Sequence, residues 1–467
     1  MFILCRVYTL DVYLPRRIDR VLLDWSRETD RKPLVLRGAR QTGKSSAVRR
    51  FAAGFELFLE LNLERHEDLA LVRSCRSADE LLTALAARHN VDRFPERTLL
   101  FLDEIQESPE AVGWLRFFRE DHPQLHVVAA GSLMEVRLEE RGFSFPVGRV
   151  TFRVLQPFTF FEFLEGTGGE VLADKLREAA AEGEAAPEPL HRQAMERLRD
   201  YLLVGGMPEA VAQWTEGGSS AAVRRVHSDL IQAFAEDIQK YRDARDLTYL
   251  EAAFENLRHH YGLRFKYENF APGYRGQLMK SALGKLEGAL LVTRVWPTSS
   301  LALPLRIRPR SAPKLLPLDV GLALHAMGTG LEALRSSPVD HVLDGRAAEM
   351  FVGQELSAVA TGYPARLHFW VSESARSNAE TDYLLEGPGC PLPVEVKSGA
   401  SGSLKSLHQF LWRSGLELGV RLHPHGFADE RLEVKMPDRD LRYRLVSLPI
   451  YLAELLPELH LIHGPPV

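Results

Sequence analysis

Gly38-Ala39-Arg40-Gln41-Thr42-Gly43-Lys44-Ser45 has the spacing G-x-x-x-x-G-K-[ST] and directly follows an apolar run, Leu34-Val35-Leu36, that reads as a strand. Glycines at those places let backbone N–H groups turn toward phosphate, and a helix opening at the loop adds the favourable end of its dipole. Lys44 is expected to reach the β- and γ-phosphates of a nucleotide, and Ser45 to hold Mg²⁺ through its hydroxyl, with Ser46 the next residue of the same segment. Further on, four apolar residues, Leu99 to Leu102, end in two carboxylates. Asp103 would touch the Mg²⁺ shell, and Glu104 would act as general base on the attacking water, so hydrolysis and not mere binding is expected. Ser132 follows the run Leu125-His126-Val127-Val128-Ala129-Ala130 and reads either as a γ-phosphate sensor or as a simple turn residue. Arg149 reads as an arginine finger given to a neighbour's site in an assembled ring, or as a surface arginine.

A second constellation lies in the C-terminal third. Glu355, Asp382, Glu395 and Lys397 give the order E…D…E-x-K, which resembles the PD-(D/E)xK nuclease core. Asp382 and Glu395, at the ends of neighbouring strands, would share a Mg²⁺ that polarises a scissile phosphate. Glu395 and Lys397 stand two apart on a strand and so face one side, where Lys397 would orient or activate water. Glu355 on the preceding helix would complete the acidic cluster, with Glu349 the alternative acidic neighbour and Gln409 a further polar contributor. Because strands often carry alternating surface charge, the other reading is a nuclease-like fold without activity that serves as a binding or assembly module.

These residues need elements to hold them. From Leu34 to about Leu164, short apolar runs alternate with amphipathic segments, which implies a parallel sheet covered on both faces. Residues 166–189 are rich in Gly, Ala and Glu and read as an insertion or mobile connector. From His191 to about Tyr261 the apolar spacing turns helical, as for a lid on the sheet core. Met279, Leu283, Leu286 and Leu290 form one stripe before a β-like run, the pattern of a winged helix-turn-helix. After a Pro- and Arg-containing stretch, a second α/β pattern begins near Gly345, with strands in 367–373, 381–386 and 392–398 and a helix in 406–414.

With 467 residues the chain needs more than one core. Hydrophobic residues at 45% and charged residues at 26% exclude collagen-like, mucin-like and bulk-disordered classes. Net charge is −5, so nucleic acid would have to be met by a local basic patch. Arg275, Lys280 and Lys285 on the expected recognition helix, then Arg306, Arg308, Arg310 and Lys314, are candidates for phosphate contacts or are solvated surface. Tyr267, Phe270 and Tyr274 would stack on bases or form a small core. Cys5, Cys75 and Cys390 have no ligand or disulfide spacing, and no apolar run reaches the length of about 18 residues that spans a membrane. A cytoplasmic protein with no membrane contact is the expectation.

The whole order resembles the AAA-type (AAA+) P-loop ATPases of archaea and bacteria that carry a C-terminal domain of unknown function with a restriction-endonuclease-like core. The residues that carry the resemblance are RGARQTGKSS, LLFLDEIQ, AAGS at 129–132, VGR at 147–149, LQPFTFFEFL, LVGGMPEAV, PKLLPLDVGL, AAEMFVGQEL, AETDYLLE and LPVEVKSG, which span about 15–455. The resemblance carries ATPase roles to Lys44, Ser45, Asp103, Glu104 and Arg149. It implies an ATPase core over 15–165, a connector and helical lid over 166–240, a winged helix-turn-helix over 241–300, a connecting segment over 301–344 and a nuclease-like domain over 345–467. ATP and Mg²⁺ are the implied cofactors, and DNA, a homo-oligomer or a protein partner the implied company. The chain departs from the family in a shortened segment after Ser132, a longer 166–189 insertion and a loose match at Tyr274 to Lys285.

Overall fold

Strand and helix alternate through the first third because each apolar strand has two faces to cover. The computed structural model describes residues 13–132, 145–146, 148–239, 244–328, 345–360, 366–373, 378–398 and 403–459. It divides into two compact units, Met1–Gln156 with Gly288–Leu290, and Pro157–Glu287 with Leu291–Val467.

In the first unit, α1 (Arg17–Ser26), β1 (Leu34–Arg37), α2 (Lys44–Ala52), β2 (Leu57–Asn62), α3 (His66–Ser74), α4 (Ala78–His89), β3 (Thr98–Asp103), α5 (Pro109–Asp121), β4 (His126–Gly131) and β5 (Thr151–Val154) follow in order. The sheet runs β2-β3-β4-β1-β5 and every pairing is parallel. Side chains alternate across it. Leu34, Leu36, Leu99, Phe101, Val128 and Ala130 point to one face, where Ile18, Leu22, Trp25 and Val48 of α1 and α2 cover them. Val35, Leu100, Leu102 and Ala129 point to the other face, under Val72, Leu81, Leu85, Leu115 and Phe118 of α3, α4 and α5. Each Leu, Ile, Val or Phe among them, removed from water, contributes about 1.5–3 kcal/mol. Since β3 and β4 lie between β1 and β2, the strand order reverses at β1, and the carboxyl ends of β1, β3 and β4 share one edge. In open α/β sheets ligands bind at such an edge.

The second unit opens with helices α6 (Phe160–Gly166), α7 (Glu170–Glu182), α8 (Glu188–Val204), α9 (Pro208–Thr215), α10 (Ser220–Ile238), α11 (Ala244–His260) and α12 (Gly276–Gly288). The expected mobile connector is in fact α7, which buries Leu172, Ala173, Leu176 and Ala180 on one stripe. The helices expected to form a lid belong to the compact unit of the C-terminal sheet. That sheet contains β6 (Val292–Thr298), β7 (Lys314–Pro317), β8 (His368–Trp370), β9 (Tyr383–Glu386), β10 (Pro391–Val396), β11 (Leu418–His423), β12 (Ala428–Val434) and β13 (Leu441–Pro449). Among the described residues its order is β12-β13-β11-β10-β9-β8-β6-β7.

The sheet corrects the expected boundaries at 300 and 344. β6 pairs antiparallel with β7 and also parallel with β8, through Trp296↔His368, so one sheet crosses both. The helices α13 (Val320–Ala326), α14 (Gly345–Val359) and α15 (Lys405–Ser414) complete the unit. α14 buries the run from Met350 to Leu356, and Leu407, Phe410 and Leu411 of α15 pack on Trp370, Leu384 and Leu445. Close backbone approach ties the helices to the sheet. A Cβ at Gly206 would overlap the Phe158 carbonyl, and the Gly206 N–H donates to Asp319 Oδ2 at 2.5 Å while Asp319 Oδ1 caps α13 through Leu322 N at 2.8 Å.

Candidate functional site

The loop from Gly38 to Ser45 leaves β1 and enters α2, as its spacing requires. Gly43 sits at φ 90° and Gln41 at φ 63°, both left-handed, so the chain turns sharply before the helix. A Cβ at Gly38 would lie 2.6 Å from the Leu155 carbonyl oxygen and 2.7 Å from Thr42 Oγ1, so that position admits only glycine. Thr42 Oγ1 donates to the Ala39 carbonyl at 2.9 Å. Lys44 Nζ donates to the carbonyls of Gly38 at 3.1 Å and Ala39 at 2.8 Å, curled under the loop and only 5% exposed. Burial lowers the Lys44 pKa to about 8, against the pull of Glu104 and Asp103 and with a further push from Arg40. Ser46 is exposed on α2.

Asp103, at the last position of β3, accepts a hydrogen bond from Ser45 Oγ at 2.8 Å. Burial raises its pKa, the Ser45 bond opposing. Glu104 follows at φ 51°, a left-handed conformation that a non-glycine residue adopts at a cost, and its Oε2 accepts from Gln106 Nε2 at 2.6 Å. Ser132, 9% exposed, follows β4 on the same edge. Arg149 is exposed and donates to Glu120 Oε1 at 2.7 Å. A serine hydroxyl and a carboxylate oxygen 2.8 Å apart suit Mg²⁺, which keeps several waters and takes further oxygens from phosphates.

Sequence reasoning missed Arg16. It is 8% exposed, and its guanidinium donates to the Thr42 carbonyl at 3.4 Å and the Gln156 carbonyl at 2.7 Å, bracing the loop from behind. Its only signal is an arginine just before an amphipathic helix, which marks no site by itself.

In the second unit Asp382, Glu395 and Lys397 come together, but differently from the expectation. Asp382 Oδ2 accepts from the Val396 N–H at 2.7 Å, and Lys397 Nζ pairs with Glu395 Oε1 at 2.6 Å. Glu355 is elsewhere. It is fully buried, accepting from Phe160 N at 3.1 Å and Tyr201 Oη at 3.3 Å, with Glu454 and Glu162 nearby. Burial, with Glu454 next, drives its pKa well above the usual carboxylate range. Glu349, on the same helix, is the acid that approaches Asp382. Gln409 lies half-buried on α15.

Lys314, expected either to contact phosphates or to lie on solvated surface, is 4% exposed inside this acidic group. Its Nζ lies 2.9 Å from Glu349, 3.2 Å from Glu380 and 3.7 Å from Asp382. Burial opposes its charge, yet Glu349, Asp382 and Glu380 together raise its pKa above the ordinary lysine value. The donor set therefore does not fit a shared Mg²⁺, because an ammonium already stands among the carboxylates. Among the described residues no group of three or more His, Cys, Asp or Glu could hold a metal ion.

Of the other basic candidates, Arg275, Lys280, Arg306 and Arg310 are exposed and Arg308 partly so. Lys285 instead pairs with Asp246. Phe270 is core, 1% exposed, stacked on His260, while Tyr267 and Tyr274 are half-buried. Among the described residues no helix is long and apolar enough to cross a membrane.

A family model described as an AAA domain matches residues 30–164, which include every nucleotide-site residue named above except Arg16. Two families described as domains of unknown function, DUF8612 and DUF4143, match residues 195–333 and 344–436. No curated protein matches. Among solved structures, the Walker-type ATPase of Pyrococcus abyssi is 15% identical over 67% of this chain and 96% of its own, with TM-score 0.42. The Aeropyrum pernix ORC1 protein, solved in complex with DNA, is 14% identical over 70% of this chain and 96% of its own, at TM-score 0.27. The Aeropyrum pernix ORC2 protein is 12% identical over 68% and 93%, at TM-score 0.31. With the parallel sheet and the loop geometry, the AAA-domain match makes the first unit a P-loop AAA-type ATPase domain.

Proposed function

We propose that the chain hydrolyses ATP in its first unit and that the nucleotide state controls a nuclease-like second unit acting on DNA. The observation that carries the ATPase part is the Ser45–Asp103 contact of 2.8 Å beside Lys44 and Glu104, at the shared carboxyl edge of β1 and β3. Lys44 is the charge for the β- and γ-phosphates, and Ser45 with Asp103 would hold Mg²⁺, which when bound neutralises charge on the phosphates. Glu104, held by Gln106, takes the proton of the attacking water. Arg149, exposed, would serve a neighbour's site in an oligomer. Loops at the γ-phosphate are the two-state element that ATP orders and hydrolysis releases. For DNA, the support is the exposed Arg275, Lys280, Arg306 and Arg310.

Glu104→Gln tests the reading. ATP turnover should fall at least a hundredfold while nucleotide affinity stays within about twofold, and DNA affinity, falling steeply with salt, should differ between ATP and ADP. Unchanged turnover in the variant would remove Glu104 as the base; DNA affinity indifferent to both salt and nucleotide would remove DNA as the target. A second reading, a switch whose C-terminal part binds a partner and cuts nothing, is favoured by Lys314 among the carboxylates.

A further inference from the structure

We infer that the carboxylate cluster of the second unit carries its own cation: Lys314 stands among the carboxylates a divalent metal would need, so the cluster binds neither Mg²⁺ nor Mn²⁺ and acts as a clasp instead of a cleavage site. This rests on the second of the two readings above.

Lys314 cannot easily leave. Its backbone is paired on both sides, with Val295 of β6 and in a bridge to Arg264. Its ammonium touches carboxylates from two parts of the chain, Glu349 on α14 and Glu380 with Asp382 before β9, and lies 5.2 Å from the Phe369 ring centre. The clasp thus joins an edge strand, a buried helix and the middle of the sheet. Arg264 adds a second positive charge on Glu380 at 3.0 Å.

Several of the oxygens a metal would use are already engaged. Asp382 Oδ1 lies 3.7 Å from Lys314 Nζ, its Oδ2 accepts from the Val396 N–H, and Glu395 Oε1 accepts from Lys397 Nζ. Glu395 Oε2 is buried and without a hydrogen-bond partner among the described residues, and Glu349 keeps its Oε1, its Oε2 being held by Lys314. Mg²⁺ requires about six oxygens in near-octahedral array, and two carboxylate oxygens beside two ammonium groups do not supply such a shell. Like charge at that separation repels any divalent ion that would enter.

The test is Mn²⁺ binding, followed by electron paramagnetic resonance of the free ion, in the full chain carrying Asp103→Asn so that the loop site is disabled, without nucleotide. No bound Mn²⁺ at millimolar concentration is expected. Adding Lys314→Met should create one Mn²⁺ site, and adding Asp382→Asn on top should abolish it. Stoichiometric Mn²⁺ binding with Lys314 in place, lost in Asp382→Asn, overturns the inference; so does a folded Lys314→Met chain that still binds none. Should Lys314→Met fail to fold, the chain that retains Lys314 decides alone, together with a DNA-cleavage assay in Mn²⁺ on the protein with both Asp103 and Lys314, where Asp382-dependent product overturns the inference. ATP turnover of that same protein is read in parallel. Its absence would sink the ATPase proposal while leaving the metal result standing.

Discussion

Lys44 Nζ sits against the Gly38 and Ala39 carbonyls, and burial brings its pKa from 10.5 to about 8, so alkaline pH acts on the charge proposed to meet phosphate. A phosphate placed about 4 Å from Nζ contributes about 4 kcal/mol at an effective dielectric near 20, about three pK units, which moves the bound lysine above pH 10. Binding therefore takes up a proton above pH 8, and affinity must fall as pH rises through 8. The dissociation constant should scale as 1 + 10^(pH − 8): nearly unchanged at pH 7, about twofold weaker at pH 8 and about elevenfold weaker, or about 1.4 kcal/mol, at pH 9. A fluorescent ATP analogue titrated from pH 7 to 9 measures this, since the phosphates are already ionised across that range. Lys44→Arg is the internal control, because a guanidinium never titrates there and its binding, weaker or not, should stay flat. Wild-type affinity constant within twofold from pH 7 to 9, or rising with pH, would refute the reasoning.

Asp319→Ala removes the cap of α13 and the acceptor for Gly206 N–H, a combined loss of about 3 kcal/mol. Unfolding in urea should begin earlier while nucleotide affinity holds; an unchanged midpoint would mean that the Gly206–Asp319 contact does not organise the unit. Glu355 has a folded pKa well above its unfolded value near 4.5, so its contribution is fully present below pH 4.5 and is lost as pH rises through the folded value. Stability of the wild-type chain should thus decline from pH 5 to pH 9, and Glu355→Gln, which keeps an acceptor for Phe160 N–H without the charge, should decline less. Equal declines in urea midpoint for the two proteins would show that the Glu355 carboxyl is not the group responsible.

The arrangement proposed as the nucleotide site is legible because its parts are local in the sequence. Gly38 to Ser45 is one loop, and Asp103 and Glu104 are the end of one strand, so spacing alone brings the groups to the correct edge once the sheet is parallel. Arg16 was not legible, since what gives it a role is the Thr42 carbonyl, a contact no run of neighbouring residues encodes. α7 was hidden by composition. Two of its four buried positions are alanine, which leaves a helix stripe too faint to stand out from Gly, Ala and Glu.

The C-terminal misreadings have a sharper cause. Glu349 and Glu355 are six residues apart on α14, a rotation of about 240°, so they cannot serve the same cluster, and the order E…D…E-x-K does not say which of them faces Asp382. A pattern of acids specifies what a strand end offers but not what already sits there. Lys314 lies in a short run between prolines, Pro313 and Pro317, which reads as connection, and its place in the sheet depends on β6 pairing with β7 on one side and β8 on the other. A helix followed by an antiparallel pair is common to a winged helix and to the edge of a larger sheet. The pairing Trp296↔His368 separates the two, and it joins residues so distant in sequence that local periodicity carries no trace of it. The same long-range pairing that hid the sheet delivers an ammonium to the carboxylates, so the residue that decides whether this cluster can take a metal lies outside the motif that would have predicted one.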